Sequence, residues 1–150
     1  MKLYIDGDAF PNLLKPIVYR AIKRLELLTY VVANKKISIG EKSSYIEYII
    51  VEQGADEADN YIVDIVNEGD LVITADIPLA DRIIDKKAHA LDHRGELYTK
   101  DNIKSFLRMR DLMAELRESG ELIKGPAPFG AKDASSFANA LNRFLTKYNR

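Results

Sequence analysis

The sequence has no cysteine, no tryptophan and only two histidines in 150 residues. Without cysteine there is no disulfide, no thiolate nucleophile and no cysteine-ligated zinc. The two histidines, His89 and His93, fall in one segment, and no supporting motif for a serine nucleophile accompanies them. They are four apart in a short strand pattern, where such spacing makes no tight chelate for zinc. No apolar run approaches the roughly 20 residues that span a bilayer. Asp6 and Asp8 interrupt the stretch that a signal peptide needs to keep apolar, so the expected setting is cytoplasmic, with no membrane. The eight glycines form no phosphate-cradling loop of the P-loop or dinucleotide type.

What is present fits one soluble domain over residues 1–150, with 47% apolar and 30% charged residues. The net charge of −1 is unevenly divided. Residues 1–100 carry 13 Lys/Arg against 17 Asp/Glu, and residues 101–150 carry nine against six. An acidic front and a basic tail suit a cation site beside a surface for an anionic substrate.

Apolar runs of strand length alternate with stretches of helical period. Strands are expected at 2–5, 29–33, 48–51 (YIIV), 71–75 (LVITA) and 88–91, and helices at 13–25, 58–66 and 78–85. This alternation predicts an α/β fold with a mostly parallel sheet covered on both faces. Runs such as YIIV and LVITA suit strands buried on both sides. Two further helices, about 100–118 (capped by Thr99) and 133–148, pack on this core, separated by a GPAPFG loop at 125–130.

In a parallel sheet the loops leaving the carboxyl ends of the strands share one rim, where ligands bind. Asp6 and Asp8 follow the first strand, and Asp76 follows LVITA, with Asp81 beyond it. Asp56, Asp59 and Asn60 follow YIIV at spacings i, i+3 and i+4, on one helical face. Taken singly, these acids read as caps: Asp76 precedes Pro78, Asp8 precedes Pro11, and Asp56 opens a helix. Taken together, Asp6, Asp59 and Asp76 point to a site for Mg²⁺ or Mn²⁺, because three caps need not converge on one rim. Arg94, Lys104, Arg108 and Arg110 are candidate phosphate contacts or else a salt-bridged helix surface.

The segments DGDAFPN (6–12), ADEADNYIV (55–63), GDLVITADIPLA (69–80), RGELYT (94–99), MRDLM (109–113), GPAPF (125–129) and FANALNRFL (137–145) resemble the YaiI/YqxD family, which is related to the PIN-domain-like nucleases. The resemblance covers nearly the whole chain. It departs from the usual pattern at Gly7 and Phe10, where the family carries Ala and Cys. It implies a PIN-like three-layer α/β/α sandwich and a carboxylate cluster holding one or two Mg²⁺ or Mn²⁺ ions for phosphodiester hydrolysis. On that pattern Asp6, Asp59 and Asp76 are the catalytic ligands, Asp8, Asp56 and Asp81 are additional ones, and Thr74 belongs to the Thr-x-Asp motif. Thr74, Asn60, Arg94 and Arg110 are then expected at the substrate, with RGELYT and GPAPF on its rim. The expected partner is nucleic acid, RNA before DNA, and a homodimer is allowed for.

Two alternatives stay open. A non-catalytic RNA- or protein-binding module would keep the fold without turnover. A haloacid-dehalogenase-like phosphatase also places Asp-x-Asp after its first strand, with Asp6 as nucleophile and Asp8 as acid. That signature continues with Thr or Val where this chain has Phe10, and it needs a lysine after a strand that the sequence does not supply.

Overall fold

The computed structural model describes residues 1–121, 125 and 127–149. It is an α/β/α sandwich around a six-stranded sheet. In chain order the elements are β1 (Leu3–Asp6), α1 (Lys15–Leu25, entered through a short 3-10 turn), β2 (Thr29–Ala33), β3 (Ile46–Ile50), α2 (Glu57–Ile65), β4 (Leu71–Ile73), α3 (Ile77–Asp85), β5 (His89–Leu91), β6 (Leu97–Tyr98), α4 (Ile103–Glu118) and α5 (Ala131–Tyr148). The sheet order is β3-β2-β1-β4-β5-β6. All pairs are parallel except β5 with β6.

Strand alternation divides the core into two layers. On one face Leu3, Ile5, Val31, Ile73 and Leu91 pack against Leu14, Val18 and Ile22 of the α1 region and Phe137, Leu141 and Leu145 of α5. On the other, Tyr4, Val32, Val72 and Ala90 pack against Ile62 of α2, Leu79 and Ile83 of α3, and Ile103 of α4. The central strands β1 and β4 are therefore apolar at every position that either layer covers.

Local chemistry sets the helix ends. Pro16 occupies the first turn of α1, and Glu26, in the left-handed region at φ 53°, ends it. Asp76 caps α3, with Pro78 in the first turn. Thr99 and Asn102 exchange side-chain to backbone bonds ahead of α4, which begins at Ile103 rather than directly after Thr99. Gly130 donates its N–H to Asp133 Oδ2 at 3.0 Å, so α5 starts two residues before Asp133.

Two expectations need correction, and one is refined. YIIV is not buried on both sides: β3 is an edge strand, with Tyr48 and Ile50 38% and 62% exposed. An apolar run carries no information about lateral position in a sheet. LVITA ends as a strand at Ile73, because Thr74 to Asp76 turn into the cap of α3. RGELYT, expected on the rim, is partly strand. Asp92 Oδ1 accepts the N–H groups of Arg94 and Glu96, and this folds the chain back into β6. Gly95, at φ 95°, lies so close to α5 that a Cβ would sit 2.7 Å from the Ser136 carbonyl oxygen. Of GPAPFG, Pro126 lies outside the described residues, and the rest is irregular up to Ala131.

Candidate functional site

The strand order reverses between β1 and β4. From β1 the chain steps outward to β2 and β3, returns through α2, and continues outward on the other side through β4 and β5. Loops leaving the strand ends diverge at such a reversal and leave a crevice between them. A crevice of about 360 Å³ lies there, lined by Asp6, Asp8, Asp56, Glu57, Asp59, Asp76 and His93, with small residues between them. Six carboxylates meet in it, and among the described residues no lysine or arginine lines it.

Each acid is delivered by a defined element. Asp6 is the last residue of β1, and its Oδ2 accepts the Thr74 hydroxyl at 2.9 Å. Thr74 is fully buried, and its Oγ1 also accepts the Asp76 N–H at 3.0 Å. Asp76 Oδ1 accepts Leu79 N–H at 3.0 Å, so this acid is a cap and a crevice carboxylate at once. Both Asp8 oxygens accept the Asn34 N–H, at 3.1 and 3.3 Å, which ties the loop after β1 to the end of β2. Asp59 stands in the first turn of α2, and Asp56 precedes that helix. Asp56 (φ 66°) and Ala9 (φ 61°) both hold left-handed backbone at the crevice wall, a conformation that costs about 1 kcal/mol or more for a residue with a side chain.

The electrostatics record the crowding. Burial pushes the Asp6 carboxyl up to about 6; the Thr74 hydrogen bond opposes this, while Asp8 and Asp76 add to it. Asp59 is pushed up to about 7, first by burial and then by Asp76, Asp6 and Asp56. Burial, then Arg94, pushes His93 down to about 4, so its imidazole is neutral at pH 7 and offsets none of the negative charge. His93 stands edge-on to Phe10, with ring centroids 5.4 Å apart. Among the described residues its Nε2 is the one buried side-chain nitrogen or oxygen without a hydrogen-bond partner.

By type, an all-carboxylate crevice without cationic side chains fits a hard divalent ion. Among the described residues, however, no three His, Asp or Glu side chains are assembled into a group that could hold a metal as they stand. The carboxylates repel one another, and several of their oxygens turn to Thr74, Asn34 and Leu79 instead. This arrangement is unlike a closed zinc or calcium cage. Mg²⁺ and Mn²⁺ accept an open site, because Mg²⁺ typically takes one or two protein carboxylates and completes its shell with water and substrate phosphate.

Other residues singled out in the sequence lie elsewhere. Asp81 does not line the crevice; its Oδ1 is held by Lys104 Nζ at 3.0 Å between α3 and α4. Asn60 is exposed and accepts a hydrogen bond from Arg82 at 2.9 Å. Arg94 pairs with Asp133 at 3.0 Å, donates to the Ala127 carbonyl at 2.9 Å and lies over the Phe129 ring. Its guanidinium therefore fastens the segment entering α5 instead of facing the crevice. Arg110 is exposed on α4, 3.6 Å from Asp111. Thr74 is beneath the acids and orients two of them. Of the crevice residues, Glu57 is not singled out in the sequence, and His93 is weighed there only as half of a zinc chelate with His89. Glu57 adjoins Asp56 but lies off the Asp56/Asp59/Asn60 face of a regular helix, and the only cue for His93 is its place just past the end of β5 at the same rim.

A family model described as the uncharacterized YaiI/YqxD family matches residues 4–147. The chain is 68% identical over 147 residues to a UPF0178 protein of Sulfurimonas denitrificans, an alignment covering 98% of this chain and 97% of the relative. It is 68% identical over 147 residues to one of a Sulfurovum species, covering 98% and 99%. It is 57% identical over 150 residues to one of a Nitratiruptor species, covering 100% and 98%. No solved structure matches.

Proposed function

The chain belongs to the YaiI/YqxD family, and on that premise we propose that it is a Mg²⁺- or Mn²⁺-dependent nuclease that hydrolyses phosphodiester bonds in RNA. The observation carrying this reading is the gathering of six carboxylates, without lysine or arginine, where the strand order reverses. Such a crevice repels a phosphodiester unless a cation stands between them, so an anionic substrate and a metal enter together. A bound Mg²⁺ or Mn²⁺ supplies a water of lowered pKa and neutralises charge on the phosphoryl group. Asp6, Asp59 and Asp76 hold it, and Asp8 and Asp56 extend the donor set at the rim. Thr74 fixes Asp6 and the turn carrying Asp76. The basic balance of residues 101–150 suits an anionic partner.

The test is cleavage of labelled single-stranded RNA with Mn²⁺ by the wild type, Asp6→Asn and Asp76→Asn. Product from the wild type alone supports the reading. Product from all three, or from none, overturns it.

A second reading, an RNA-binding module without turnover, draws support from the absence of an assembled metal-holding group among the described residues. It predicts salt-dependent RNA binding without product, unchanged in Asp76→Asn. A phosphatase of the Asp-x-Asp type gains no support, since among the described residues no lysine lines the crevice.

A further inference from the structure

Helix α4 is fastened to the body by its first turns. Ile103, Phe106 and Leu107 pack on the second core layer, and Lys104 pairs with Asp81. Beyond Arg108 it has no fully buried residue; Met113, Ala114 and Leu116 are half-buried and the rest of the helix is exposed. Yet Met109, Leu112, Met113 and Leu116 fall at i, i+3, i+4 and i+7, a continuous apolar stripe on one side. Met109 is 53% exposed and Leu112 48%. A stripe of this kind turned away from the core marks an interaction surface rather than scattered apolar exposure.

The flanking charges identify the occupant. Arg108 and Glu115 are one heptad apart, so they occupy the same flank of the stripe, immediately before Met109 and Leu116. In a parallel pair this flank faces the opposite flank of the partner, so Arg108 and Glu115 would stand near Met113 and Gly120 and find no charge partner. Antiparallel pairing about a two-fold axis near Asp111 and Leu112 sets Arg108 of each copy against Glu115 of the other, twice. The same axis brings Met109 towards Met113 and Leu112 towards Leu112, with Leu116 of each copy at the ends of the contact.

We propose that the distal half of α4 is a self-complementary docking surface for a second copy of this chain, bound antiparallel with two-fold symmetry. The paired stretch, residues 107–118, is about 18 Å long at the rise of an α-helix. An interface of that length is small, so dimer and monomer exchange with concentration. The crevice takes no part, and the dimer stands independently of the nuclease reading.

The experiment is light scattering and sedimentation of the full chain from about 1 μM to 1 mM, with circular dichroism to confirm that each variant is folded. The wild type reaches twice the monomer mass as concentration rises, and Leu112→Glu stays monomeric. Arg108→Glu and Glu115→Arg each weaken dimerisation about tenfold, since like charges then face one another. The double variant, carrying both substitutions, recovers it. A wild type monomeric throughout, a dimer surviving Leu112→Glu, or a double variant no better than the singles overturns the proposal.

Discussion

The Thr74 hydroxyl donates to Asp6 Oδ2 at 2.9 Å, and its oxygen accepts the Asp76 N–H at 3.0 Å. One buried group thus joins the ends of the two central strands and sets two crevice acids. Thr74→Val keeps the side-chain shape and removes both bonds. It is expected to cost about 1–3 kcal/mol of stability and to lower divalent-ion affinity about 10–100-fold. Thr74→Ser retains both bonds. Urea unfolding and Mn²⁺ calorimetry on the three proteins check this, and wild-type affinity in the valine variant would show that Asp6 needs no such support.

Asp76 separates capping from charge. Its Oδ1 accepts the Leu79 N–H, a bond that asparagine also makes, so Asp76→Asn keeps α3 capped. Thermal melting should show a change within about 0.5 kcal/mol, whereas Asp76→Ala loses about 1 kcal/mol. Both variants are expected to lose specific Mn²⁺ binding, read by calorimetry or spin resonance. Binding retained in Asp76→Asn would make this residue a cap and nothing more.

Stability in chelator should respond to pH through the acids. Asp6 titrates at about 6 and Asp59 at about 7, both above the ordinary carboxylate value. Between about pH 7 and 4 the folded chain therefore binds more protons than the unfolded chain, and these groups add stability as pH falls. Asp6→Asn removes the repulsion and can still accept the Thr74 hydrogen. It should exceed the wild type by on the order of 1–3 kcal/mol at pH 8, with the gap closing towards pH 4. A gap independent of pH in guanidinium unfolding would contradict the assignment.

His93 acts with the opposite sign. Its folded value, about 4, lies below that of an unfolded histidine, so the unfolded chain binds more protons as pH falls from about 6.5 to 4, and stability is lost across that window. His93→Phe removes both this loss and the unpartnered Nε2. Its advantage over the wild type should widen from pH 6.5 down to 4 in the same unfolding experiment; a constant difference would show that His93 is not held neutral.

Arg94 tests position against charge. Because it holds Asp133, the Ala127 carbonyl and the Phe129 ring, Arg94→Met should loosen the entry to α5. Limited proteolysis should then cut near residues 127–133 at lower protease concentration, with RNA affinity nearly unchanged. An RNA affinity that falls while the proteolytic pattern stays fixed would make Arg94 a substrate contact after all.

The acids at the strand ends could be read from the chain because each follows an apolar run, and parallel strands deliver such residues to one rim. The lateral order of strands could not, which is why YIIV looked central and proved to be an edge. Charged residues fared unevenly for a related reason. A sequence displays a charge but not what neutralises it: Asp81 meets Lys104 and Arg94 meets Asp133 across distances in the chain that only the fold closes. Asp76 read as both cap and ligand candidate; it caps α3 and lines the crevice at once. Glu57 and His93 depend on local turns that the periodicity of their segments does not reveal.

Asp70 gives the pairing of β1 with β4 a mechanical consequence. Its buried carboxylate accepts the N–H groups of Lys2 and Asn67, each at 2.9 Å, at the foot of these strands, while Thr74 links them at the head. Bolted at both ends, the two strands act as the fixed jaw of a vice and cannot slide past one another. Across the crevice, residues 52–57 are exposed throughout and include Gly54. A change in the crevice's aperture is therefore expected to move Asp56 and Glu57, while Asp6, Asp76 and the core-anchored helix carrying Asp59 stay fixed.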